Sequence, residues 1–107
     1  MRILLVVLFL TASNSVLSAD WSGTVTYIKS STVSNAVLFG LSGELEDPVR
    51  CNESKLYSID LSAPGGETIF ELIKYAYVNK LSVKANSLRT CVDYWKAEGV
   101  KEVVLQQ

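Results

Sequence analysis

Histidine is absent from the 107 residues, and cysteine and proline occur only twice each. Without imidazole, Ser–His and Cys–His nucleophile pairs and most zinc sites are excluded. Two cysteines engaged in one disulfide cannot also supply a thiolate metal site, so no metal and no cofactor is expected. Charge of one sign is lacking as well: ten Lys and Arg oppose eleven Asp and Glu, interspersed, for a net charge of −1. That balance provides no basic stripe for nucleic acid. The one acidic cluster, Glu44, Glu46 and Asp47, reads as a solvated loop, because calcium needs more ligands at regular spacing. Asp60, Glu67, Glu71 and Asp93 are scattered carboxylates rather than an acid–base pair. "PGGE" at 64–67 lacks the lysine and spacing of a phosphate loop. These absences argue against an enzyme.

The N-terminus is different in kind. Arg2 is followed by the apolar run Ile3 to Leu10, then a polar stretch and the small residues Ser18 and Ala19. This is the layout of a secretory signal peptide over residues 1–19, with cleavage after Ala19 or Ser18. The rival reading, a membrane anchor, needs roughly 20 apolar residues, and this run has about eight. No later segment reaches spanning length, so a soluble secreted or periplasmic product without a transmembrane segment is expected, a single domain over 20–107. Its two cysteines, Cys51 and Cys91, would meet an oxidising compartment. An intrachain disulfide would close a loop of about 40 residues, worth roughly 4 kcal/mol in the chain-entropy account. Free structural thiols or a bridge between subunits are the rival readings. Asn52-Glu53-Ser54 fits a glycosylation sequon, a tripeptide common by chance.

"TVTYIKSS" (24–31) alternates Val25, Tyr27 and Lys29 against Thr24, Thr26 and Ile28, as a strand does. Polar "STVSN" makes a hairpin connection, and "AVLFGLS" (36–42) is a second strand in which Gly40 marks a bulge or bend. "GELEDPVRC" is an irregular loop broken by Pro48. "KLYSIDLS" (55–62) is a third strand, stopped by "APGG". A helix is expected over about 67–78, because Ile69, Leu72, Ile73 and Ala76 share one face. Glu67 and Glu71 lie early in it, Lys80 falls just past its end, and Asn79 can adopt the left-handed terminating conformation. Phe70, Tyr75 and Tyr77 read as core and flank packing. "LSVKA" (81–85) is a fourth strand, "CVDYW" a short strand or extended loop, and "VKEVVLQ" (100–106) the last strand. Mainly β with one helix between strands three and four, this is the order of an OB-type five- to six-stranded antiparallel barrel. Cystatin-like and ferredoxin-like sandwiches place their helices elsewhere in the order.

Four stretches carry a resemblance: "WSGTVTYI", "AVLFGLSG", "DPVRCNESKLYSIDLS" and "ETIFELIKYAYVNKLSVKANSLRTC". Their order, spacing and two cysteines resemble the small OB-fold binding subunits of bacterial A–B toxins, of the subtilase-cytotoxin and pertussis-like kind, and related short exported proteins of unknown role. The resemblance implies a pentameric homo-oligomer that binds glycans, often sialylated, at shallow sites on the sheet. It places Ser22 at the sugar-contacting serine; strand-entry polarity is the plainer reading of that residue. It also puts Glu71, Lys74 and Val78 on a pore-lining helix face, which would equally serve as a solvent face. The family's aromatic after the fourth strand has no counterpart, since the chain runs Ala85-Asn86-Ser87.

The sequence therefore supports two functions: a glycan-binding, oligomeric module, or a monomeric periplasmic protein that binds or inhibits another protein of the envelope. An oligonucleotide-binding domain is disfavoured by export and charge. A glycan binder stacks aromatics on sugar faces, and Trp21, Tyr27, Tyr94 and Trp95 are the candidates beside Ser22. For Trp95, filling the end of the barrel is the plainer role.

Overall fold

A computed structural model of the chain describes residues 20–92 and 96–106. The leader expected at 1–19, and Asp93, Tyr94 and Trp95, lie outside the described residues. The elements run β1 (Asp20–Lys29), β2 (Ala36–Leu41), β3 (Tyr57–Asp60), α1 (Gly66–Asn79), β4 (Ser82–Val92) and β5 (Ala97–Gln106). The five strands form one sheet that closes on itself in the order β1-β2-β3-β5-β4, with β4 returning to β1. Four of the pairs are antiparallel, but β3 and β5 run parallel. That pair departs from the all-antiparallel expectation: with α1 between β3 and β4, β5 reaches the free edge of β3 in the same direction. Expected as separate pieces, "LSVKA" and the start of "CVDYW" belong to one 11-residue β4, whose register shifts twice, between Asn86 and Ser87 and between Ser87 and Cys91. Arg89, at φ 64, holds the bulge.

Alternation decides what faces the interior, and one bulge overrides it. Trp21 and Val25 point inward, but the β1–β2 register shifts between Val25 and Tyr27. Beyond the shift Ile28 packs against the core and Tyr27 turns outward, reversing the assignment that strict alternation gives. The core joins Val37, Phe39 and Leu41 of β2 with Tyr57 and Ile59 of β3 and Val83 and Ala85 of β4. Helix α1 adds Ile73 and Ala76, fully buried, and Ile69 and Phe70, partly so. Tyr75 and Tyr77, expected as packing residues, are exposed. Lys80, not Asn79, takes the left-handed terminating conformation and its N–H bonds to the Ala76 carbonyl. Asn79 instead donates from Nδ2 to the Tyr75 carbonyl at 2.9 Å.

Cys51 and Cys91 form a disulfide that ties the β2–β3 loop to β4. Among the described residues no helix is long and apolar enough to cross a membrane.

Candidate functional site

Register builds a polar face that no single stretch of sequence displays. Trp21, Ala85 and Val103 form one cross-strand row pointing inward, so the flanking rows point out. These are Asp20–Asn86–Glu102, Ser22–Lys84–Val104 and Thr24–Ser82–Gln106. Neighbours across a row lie about 5 Å apart and rows about 7 Å apart. Only Val104 among the nine is apolar. Asp20 organises one end: its Oδ1 accepts from Asn86 Nδ2 at 2.8 Å, and its Oδ2 lies 3.5 Å from Lys84 Nζ. Ser22 is exposed at the β1 end of the middle row, beside Lys84. The face sets hydroxyl, ammonium, amide and carboxylate groups side by side.

Ser22 is held there by its own backbone. Its carbonyl accepts from the Gly43 N–H at 3.0 Å, and the Gly43 carbonyl accepts from Trp21 Nε1 at 2.7 Å. A Cβ on Gly43 would lie 2.1 Å from the Ser22 oxygen, so only glycine fits this approach.

The candidate residues separate. Trp21 is 5% exposed and packs edge-on to Tyr57, with ring centroids 5.2 Å apart. Burial with its indole N–H bonded leaves it no ring face to offer a sugar, and it serves the core. Tyr27 is 43% exposed but five residues further along β1, opposite Gly40 of β2 rather than beside Ser22. Tyr94 and Trp95 lie outside the described residues. Lys84, Asn86 and Glu102 were not singled out from the sequence; only the alternation within "SVKAN" and "VKEVV" hints that they face outward.

A second polar cluster is buried. Glu98 has no exposed surface, and its Oε1 accepts from the Val49 N–H at 3.0 Å and from Asn52 Nδ2 at 2.9 Å. Its Oε2 accepts from Ser87 Oγ, with Arg89 Nη1 at 3.9 Å. The Asn52 Oδ1 accepts from the Lys55 N–H at 2.9 Å. So many partners satisfy a buried carboxylate and pin the loop before β3, a structural arrangement. Asn52 is fully buried and its amide nitrogen engaged, so the sequon carries no acceptor in the folded chain. Nearby, burial, then the charges of Glu98 and Asp20, push the Tyr57 phenol up to about 12, against Arg89 and a hydrogen bond with Ser87.

The acidic residues Glu44, Glu46 and Asp47 are exposed, and Asp47 pairs with Arg89 at 3.4 Å. Among the described residues no three His, Cys, Asp or Glu side chains converge as metal ligands. No family model matches this chain, and neither a curated protein nor a solved structure matches it.

Proposed function

We propose that the chain is an exported, non-enzymatic binding module with an OB-type barrel, which binds a glycan on the outer face of β1, β4 and β5. The observation that carries this reading is the row Ser22–Lys84 beside Asp20 and Asn86 on the outer face of the sheet. A polyhydroxylated ligand demands such a mixed set of donors and acceptors. A sialylated glycan adds a carboxylate, for which Lys84 is the cation at hand. The ring order β1-β2-β3-β5-β4, with the helix after the third strand, favours the OB type over sandwich alternatives. Assembly into a pentamer rests on the toxin-subunit resemblance, and the lack of catalytic nucleophile pairs on the absence of histidine.

The test joins light scattering with a glycan array, on residues 20–107 under oxidising conditions. Saturable binding that falls several-fold in Ser22→Ala, and about tenfold in Lys84→Ala, is expected for one neutral and one charge-assisted hydrogen bond. No retained glycan, or binding indifferent to both substitutions, defeats the glycan reading. A mass near five subunits supports the ring.

Tyr75, Tyr77 and Val78 favour a second reading, since each is at least half exposed on α1. They suit a monomer whose helix meets an envelope protein, and a clean monomer that retains no glycan selects this alternative.

A further inference from the structure

On another part of the surface, β3 and β5 pair through only two residues each, Tyr57 with Glu98 and Ser58 with Gly99. Beyond them the strands become the sides of a cleft of about 360 Å³, with Asp60 on one and Lys101 on the other. The turn at Ala63–Pro64, Ile69 of α1, and Leu88 and Thr90 of β4 also line it. Tyr57 and Ile59 face the core, so Ser58 between them faces the outside of the ring, next to Gly99. Gly99 keeps that spot low: a Cβ there would lie 3.0 Å from the Leu88 side chain, which the β4 bulge swings over it.

Ser58 is 1% exposed, and its Oγ has no hydrogen-bond partner. Among the described residues, the other buried polar side chains, Asn52, Ser87 and Glu98, are all bonded. An orphaned buried hydroxyl lining a cleft whose walls are largely but not wholly apolar wants a partner from outside the chain.

We propose that this cleft is a ligand site, distinct from the Ser22 face, for a neutral molecule with an apolar body and one hydrogen-bonding oxygen, which Ser58 Oγ anchors. The hydroxyl both donates and accepts, so an alcohol, carbonyl or amide group fits. One acidic and one basic residue, Asp60 and Lys101, line the cleft, so it favours neither ionic sign. A dry cavity of about 150 Å³ accommodates benzene, so a body of roughly two rings is in scale.

Chemical-shift titration of the oxidised protein with 2-naphthol, and with 2-fluoronaphthalene as the same body lacking the hydroxyl, tests this. Saturable shifts at Ser58, Leu88, Gly99 and Lys101 are expected, with the naphthol about tenfold tighter. Ser58→Ala should erase that preference while sparing the fluoro compound, Leu88→Ala should weaken both, and Ser22→Ala should change neither. Three results overturn the proposal: no saturable shifts at the cleft, equal affinity for the two probes, or a preference that survives Ser58→Ala. Should Ser58→Ala fail to fold, the comparison of the two probes on the unaltered chain decides.

Discussion

Tyr57 concentrates several of the forces in this molecule in one side chain. Its ring meets Trp21 and Phe39 edge-on, at centroid distances of 5.2 and 6.0 Å, the geometry that aromatic quadrupoles prefer. Its phenol stays protonated up to about 12, chiefly because burial penalises the phenolate. An unfolded tyrosine titrates near 10, so the native state binds the extra proton between the two values. Stability from this group is therefore complete below pH 10 and falls as pH rises toward 12, by about 1.4 kcal/mol at pH 11. Urea unfolding at pH 9 and 11 should show that loss beyond whatever remains in Tyr57→Phe, which has no phenol to titrate. An equal pH dependence in both proteins would refute it. The alternation of "KLYSIDLS" puts Tyr57, Ile59 and Leu61 on one side, and that much was legible. That Trp21 would join them, and not stay available to a ligand, was not, because its indole N–H is satisfied by Gly43, 22 residues away.

Among the elements, β1 and the helix show where local pattern holds and where it yields. The face Ile69, Leu72, Ile73 and Ala76 was readable because helical period needs no partner to define it, and Ile73 and Ala76 are indeed fully buried. Strand β1 was readable as a strand, but its facing was not, since the bulge between Val25 and Tyr27 exists only against β2. The same contact between elements makes Gly43 critical. Gly43→Ala would force a Cβ onto the backbone oxygen of Ser22, an atom that two paired strands cannot easily move. A loss of about 2–3 kcal/mol in urea unfolding is expected, at the upper end for an overpacked site. A change within 0.5 kcal/mol would show that the β1–β2 corner yields more readily than its hydrogen bonds imply.

For the whole molecule, closure matters most. Strand β1 pairs with β4 through Asp20–Thr24 and with β2 through Val25–Lys29, so one strand joins both ends of the sheet. The Cys51–Cys91 disulfide adds a covalent link across 40 residues. Reduction, or joint replacement by alanine, should cost about 4 kcal/mol through the freed chain entropy of the unfolded state. Urea midpoints with and without dithiothreitol measure this, and a difference below 1 kcal/mol would mean that the reduced chain is already confined. The Glu98 network pins the same loop from inside, so amide exchange at Val49 and Lys55 reports how much of the loop survives reduction.

By itself the sequence determined the elements with strong local signals: mostly strands, a single helix after "APGG", a loop at Pro48 and a pair of cysteines able to join. Those signals are properties of neighbouring residues, and period, breakers and composition express them without reference to the rest of the chain. Tertiary structure alone decided the parallel β3–β5 pair, the reversal at Tyr27, the burial of Trp21 and Asn52, and the meeting of Ser22 with Lys84. It also decided that Ser58 would be enclosed without a partner. Each of these depends on register between strands distant in sequence, and a single bulge is enough to change which side of the sheet a residue occupies.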